Sequence, residues 1–216
     1  MISAIVLAAG TSSRMKGPNK LLLPLLGRPL IHHVIESVAA SSAVEVVVVT
    51  GHESARVQPA LTGFDVTIAY NPQYARGQTG SVRVGVRAAH ADALAYMICL
   101  GDLPLISTSD YDRVIALFRS CHASDPKAVV RPTYRGIPGH PVVFSGAWRK
   151  YLISETASTG CRNVLRRHAE HVIEMEWVND HVVRDVDTPE TYRTLLPFEA
   201  LGQISDGFRK RRHDLK

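Results

Sequence analysis

Cysteine is scarce. The chain has three in 216 residues, Cys99, Cys121 and Cys161, odd in number, far apart and without a Cys-x-x-Cys pair. A disulfide framework and a thiolate zinc centre are therefore excluded as organising devices, and free thiols fit a reducing compartment. Long apolar runs are missing too: none approaches the ~20 residues that cross a bilayer, so no membrane partner is expected. The apolar segment at the amino terminus follows no basic leader and precedes no small-residue cleavage site, so no export signal is read and the expected location is cytoplasmic. Excess charge is slight. The net +5 is concentrated at the end of the chain, where Arg209, Lys210, Arg211, Arg212 and Lys216 face only Asp206 and Asp214. That cluster is short and has a single aromatic, Phe208, so it reads as a solvated tail rather than a nucleic-acid arm. What remains is ordinary for a globular protein, with 45% apolar and 21% charged residues. The expectation is one domain over residues 1–200 with a basic, flexible tail over 201–216.

The most informative stretch comes first. Ile2 to Leu7 is a short run rich in branched apolar residues, without alternation, and reads as a buried parallel strand. Ala8, Ala9, Gly10, Thr11, Ser12 and Ser13 then let the backbone approach a ligand closely, with Gly10 free to take a positive φ. Arg14, Lys16 and Lys20 follow within seven residues. A strand, a small-residue loop with converging N–H groups and a backing of cations suit a triphosphate. The same residues also fit a plain strand-to-helix turn with a solvated basic edge. No Gly-Lys-Ser/Thr closes the loop and no Gly-x-Gly-x-x-Gly opens it, so it matches neither a Walker A nor a dinucleotide fingerprint.

Further along, strand-like and helix-like segments alternate, which predicts an α/β layered domain with a mostly parallel sheet. Helices are expected over 29–40, 53–61, 81–90, from Ser107 or Thr108 to Phe118, and over 162–168. Strands are expected over 44–50, 64–70, 94–100 and 128–130, another after Pro141, and a short one near 182–187. Ser81 is a reasonable N-cap for its helix. Arg83 and Arg87 share a helix face that reads as solvated. The strand ending at Leu100 runs into Gly101-Asp102-Leu103-Pro104, where a carboxylate would face the crevice beyond the strand ends. Carboxylate oxygens there suit Mg²⁺, although an aspartate after a strand is also an ordinary turn residue. Asp185 and Asp187 alternate and would share one face, with Asp187 or Thr188 capping the following helix.

Together these segments resemble the nucleotidyltransferases that open with an L-A-A/G-G-x-S-x-R-M-G…K signature, and most closely the molybdenum cofactor cytidylyltransferase branch. The carrying residues are LAAGTSSRMKGPNKLLLPLLGRPLI, LGDLPL, GIPGHPVVF and DVDTPE. Two departures are visible: Lys16 stands between Arg-Met and Gly17, and Ala157-Ser158 stands where Gly-Asp is usual before Gly160. The resemblance implies a three-layer Rossmann-like fold that transfers a nucleoside monophosphate and releases pyrophosphate. It further implies nucleotide binding by Leu7, Ala8, Ala9, Gly10, Thr11, Ser12, Ser13, Arg14 and Lys20. Gly77, Gln78 and Ser81 would border the base and ribose. Mg²⁺ would be held by Asp102 and Asp187, with Asp185 in support. Gly139, His140 and Arg162 would face the acceptor. Arg14, Lys20 and Asp102 would carry the catalysis.

CTP as donor, molybdopterin or its molybdenum-bound form as acceptor, and a molybdoenzyme as partner are likewise implied by resemblance alone. An acceptor phosphate monoester is already ionised near pH 7, so positioning and charge neutralisation are the expected means of catalysis. Competing expectations are a sugar-phosphate or other phosphate-ester nucleotidyltransferase and a non-catalytic cofactor chaperone. An NAD-dependent enzyme is the remaining option, lacking its glycine fingerprint.

Overall fold

A computed structural model describes residues 1–15, 17–154 and 161–196. Lys16, the Ala157-Ser158-Gly160 departure and the basic tail lie outside the described residues. In chain order the elements are β1 (Ile2–Ala8), β2 (Pro24–Leu25), β3 (Arg28–Pro29), α1 (Leu30–Ala39), β4 (Glu45–Thr50), α2 (Ser54–Val57), β5 (Thr67–Tyr70), α3 (Gln78–Ala88), β6 (Ala95–Leu100) and α4 (Thr108–His122). There follow β7 (Val129–Tyr134), β8 (Ile137–Pro138), β9 (Val142–Ser145), α5 (Arg149–Leu152), α6 (Cys161–Arg167), β10 (Val172–Glu176) and α7 (Pro189–Arg193).

The main sheet runs β10-β7-β9-β6-β1-β4-β5, with β8 paired to β7. β1 lies at its centre, parallel to β4 on one side and β6 on the other; Val6 sits between Val48 and Cys99. Among the described residues of this sheet, only β9 and β8 run antiparallel to their neighbours. β1, β4 and β6 are buried on both faces, which is why they read as unbroken apolar runs. Side chains alternate between two cores. Ile2, Ala4, Val6 and Ala8 meet α1, α4 and Tyr192 of α7 on one face. Ile5, Val47 and Val49 meet α3, α5 and α6 on the other.

The helices follow their apolar spacing. α1 buries Leu30, Ile31, Val34, Ile35 and Val38, one stripe of a 3.6-residue period. α4 starts with a capping box in which Ser107 and Asp110 satisfy each other's backbone N–H. α3 lies so close to β1 and β4 that a Cβ on Gly85 would come 2.3 Å from Ile5 Cγ2 and 2.9 Å from Val49 Cγ2.

The structure corrects several expectations. The helix over 53–61 is α2 followed by a 3₁₀ turn, Gln58–Leu61, because Pro59 has no N–H with which to continue an α-helix. β7 runs past Val130 to Tyr134; it pairs with β9 only at Val129 and Val130, so Pro132 stands beyond the part of β7 that β9 must bond. β10 was not anticipated. The segment 182–187 is not a strand: Asp180–Val182 forms a 3₁₀ turn, and Val186 gives its N–H to the Asp102 carbonyl at 3.0 Å instead of to a neighbouring strand.

The connection from β1 to β4 and β5 proceeds to one side, and the chain then returns to β6 on the other side of β1. Where strand order reverses, the carboxyl ends of β1 and β6 open a crevice, the usual ligand position in such sheets. The loop after Ala8 and the turn carrying Asp102 both begin there.

Candidate active site

The loop after β1 is tied at its ends and open between them. Leu7 accepts from the Gly101 N–H at 3.0 Å, and Ala9 accepts from the His52 N–H at 3.3 Å. Met15, fully buried, anchors the far side. Gly10, Thr11 and Ser13 are exposed and Ser12 is partly so. Nothing lies within 4 Å of a Cβ built on Gly10, yet the residue in the left-handed region is Ser12, with φ 51°. The expected positive φ at Gly10 is thus displaced by two residues. That conformation lets Ser12 accept at its Oγ from the Lys20 N–H (3.2 Å) and at its carbonyl from the Met15 N–H (3.0 Å).

Lys20 opens a 3₁₀ turn, Lys20–Leu22, capped by Asn19, whose Oδ1 accepts from the Leu21 N–H at 3.1 Å. The turn points a nearly buried side chain at two acids from distant parts of the chain. Its Nζ lies against Asp102 Oδ2 and 2.5 Å from Asp187 Oδ1. Arg14, with 70% of its side chain exposed, reaches over from the loop to Asp187 Oδ2. Asp185 completes the group: one oxygen each from Asp102, Asp185 and Asp187 can be chosen within 4.8 Å of one another, with no such group of three elsewhere among the described residues. The Val186-to-Asp102 backbone bond fixes this convergence, because it clasps the turn after β6 to the middle of the Asp185-Val186-Asp187 segment. Thr188 then caps α7 through the Thr191 N–H, so the cap is Thr188 rather than Asp187.

Charge is unevenly shared in this group. Burial works against the Lys20 ammonium, but the attraction and hydrogen bonding of Asp102 and Asp187 outweigh it and raise its pKa. Asp187 is pulled below the ordinary carboxylate range: its own burial opposes ionisation, but bonding to Lys20 prevails. Asp185 moves the other way, up to about 6, through burial and then the like charge of Asp187 and Asp102. A partly desolvated cluster of three acids is a common setting for a bound cation.

The expected acceptor residues divide. Gly139 is buried against the segment that leads to the acids; a Cβ there would sit 2.6 Å from the Val182 carbonyl oxygen. His140 donates its backbone N–H to that carbonyl at 2.9 Å, and its Nδ1 lies 3.2 Å from the Ile98 carbonyl, which makes Nδ1 the protonated nitrogen. Surrounded by protein yet keeping an accessible edge, the ring has its pKa lowered by burial and feels the charge of Asp102. Arg162 is exposed near the start of α6, with no ion pair to the acidic group among the described residues. Gly77, at φ 106°, is the residue before α3, which begins at Gln78; both are exposed. Ser81 is therefore not the N-cap. It is buried within the helix, where its Oγ accepts from Asn71 Nδ2 at 3.0 Å. Arg83 also departs from the solvated reading, since its Nε is buried and unbonded.

Two positioning groups escaped the sequence reading. Asn19 is almost wholly buried inside the basic loop. Tyr192 in α7, also buried, donates its hydroxyl to the Pro24 carbonyl and so ties the hairpin after Lys20 to the helix after Asp187. An Asx cap before a short turn was the only signal for the first; the second had none.

Comparison with known proteins supplies the family and the fold. Residues 4–172 match the family model described as MobA-like NTP transferase domain. The molybdenum cofactor cytidylyltransferase of Escherichia coli K12 is 28% identical over 194 residues, covering 89% of this chain and 94% of that protein. A nucleotidyl transferase from Methanothermobacter superposes with a TM-score of 0.78 at 25% identity, covering 90% of this chain and 95% of its own. A Mycobacterium tuberculosis protein solved in complex with manganese shares the fold, with a TM-score of 0.67, 24% identity, and coverage of 90% of this chain and 97% of its own. The architecture is thus the Rossmann-like layered fold of nucleotidyltransferases, and the chain belongs to the MobA-like NTP transferase domain family.

Proposed function

We propose that the protein transfers CMP from CTP to the phosphate of a molybdopterin-type acceptor and releases pyrophosphate. The observation that carries this reading is the convergence of Asp102, Asp185 and Asp187 with Lys20 and Arg14 beside an open small-residue loop. The near full-length likeness to a molybdenum cofactor cytidylyltransferase supports the choice of donor and acceptor.

The residues fit a divalent cation. Three carboxylates from two segments offer hard oxygen donors at a spacing one ion can bridge, leaving phosphate oxygens to complete its shell. Asp102, Asp185 and Asp187 would hold Mg²⁺, which when bound would polarise an α-phosphoryl oxygen and offset charge on the leaving group. The loop N–H groups from Gly10 to Ser13 bind the β- and γ-phosphates. Lys20 and Arg14 neutralise charge that builds on the α-phosphate and pyrophosphate. Gly77 and Gln78, exposed at the entry to α3, border the base and ribose, while buried Ser81 supports that entry through Asn71. His140 presents its ring on the acceptor side near Asp102, and Arg162, exposed in α6, is assigned to the acceptor phosphate. Because that phosphate is already an anion, the residues have no proton to remove from the nucleophile; their task is alignment. The compartment of such a reaction is the cytoplasm, with the body of the domain ending near residue 200.

The test is pyrophosphate release from each of the four ribonucleoside triphosphates with purified molybdopterin, and with sugar phosphates in parallel. Release with CTP and molybdopterin supports the reading. Release only with a sugar phosphate favours that alternative, and tight acceptor binding without release from any nucleotide favours the chaperone.

A further inference from the structure

We infer that Lys20, assisted by Arg14, holds the metal seat shut in the free protein, so that a divalent cation enters only together with a triphosphate. This rests on the metal–triphosphate reading above. Both oxygens of Asp187 are already taken, Oδ1 by Lys20 and Oδ2 by Arg14. The same Lys20 ammonium also covers Asp102 Oδ2, so one side chain bridges two of the three acids. An ion on Asp187 would therefore meet a cation already seated at either oxygen, and their repulsion opposes its entry.

The two seated cations differ in what they can do next. Arg14 is largely exposed and returns to water at little cost. Lys20 keeps only 10% of its side chain exposed, so a free dication arriving alone would share Asp102 and Asp187 with a nearly buried ammonium and leave its charge undercompensated. Uncompensated buried charge is strongly unfavourable. A triphosphate removes the conflict by supplying anionic oxygens. The Lys20 backbone is fixed by its N–H bond to Ser12 Oγ, in the very loop that faces the phosphates, and four rotatable methylenes let Nζ turn from the acids to them. Three carboxylates against two cations leave the group with at most one net negative charge, too little to draw a free dication strongly while both cations stay.

Protein-bound Mn²⁺, followed by electron paramagnetic resonance and water-proton relaxation, tests this with wild type, Lys20→Met and Arg14→Gln, each with and without a non-hydrolysable CTP analogue. Wild type should take up little Mn²⁺ alone and bind it readily with the analogue. Lys20→Met should bind Mn²⁺ alone at least tenfold more tightly than wild type. Arg14→Gln, an exposed substitution that leaves the core untouched, should shift the same way by less. Tight uptake by wild type alone, or no gain in either variant while wild type still forms the ternary complex, overturns the inference and leaves the metal–triphosphate reading standing. Failure of wild type to bind Mn²⁺ even with the analogue overturns both.

Discussion

Replacing Asp185 with Asn should stabilise the protein while disarming its site. The Asp185 carboxyl sits at about 6 against an ordinary 3.8, a rise of about two units caused by burial and the neighbouring Asp187 and Asp102. At ~1.4 kcal/mol per unit this is nominally about 3 kcal/mol. The group is only half-buried, so solvent screens much of it, and about 1 kcal/mol is the expected remainder. The sign follows from proton linkage. Between pH 3.8 and about 6 the folded state binds more protons than the unfolded one, so this group's cost is full above pH 6 and gone below 3.8. Urea denaturation at pH 7.5 should show Asp185→Asn more stable than wild type by about 1 kcal/mol, and at pH 4 most of that difference should be gone. A variant less stable at pH 7.5, or a difference that does not change with pH, would refute the assignment of strain to this carboxylate.

Other outcomes follow from the same coordinates. Gly85→Ala forces a Cβ into Ile5 and Val49 and should cost about 1–3 kcal/mol in urea denaturation with no change in nucleotide affinity per folded molecule. Tyr192→Phe removes the hydroxyl that bonds the Pro24 carbonyl; it should cost about 1–2 kcal/mol and weaken triphosphate binding, measured by titration calorimetry. Lys20→Met should lower kcat by roughly 10²–10³, as expected for removing one charge-stabilising donor, in a pyrophosphate-release assay with acceptor saturating.

The parts of this protein legible in its sequence are those whose determinants are local. The pure Val run of β4 and the 3.6-residue stripe of α1 state their own form, and the loop from Ala8 to Arg14 carries its chemistry in consecutive residues. Asp102 was recognisable because a strand led directly into it. The segment around Asp185 and Asp187 misled, because alternation of side chains does not require a partner strand. What fixes it beside the turn after β6 is the hydrogen bond from Val186 to the Asp102 carbonyl, 84 residues away, and no pattern encodes that. β10 escaped for a related reason: its outward Glu174 and Glu176 dilute the apolar signal, and their partners Arg131 and Thr133 lie on β7. The left-handed residue fell on Ser12 rather than Gly10 because the Ser12 side chain had a bond to make with Lys20. The contact that organises the site, Lys20 between Asp102 and Asp187, joins three distant stretches and could be supplied only by the folded chain.

The central claim is that these acids and this lysine form the centre of nucleotidyl transfer. Its most direct test is pyrophosphate release from CTP and molybdopterin by wild type and by Asp102→Ala, with circular dichroism to establish that the variant is folded. The account predicts release by wild type and none above background from the folded variant; near-normal turnover by Asp102→Ala would contradict it.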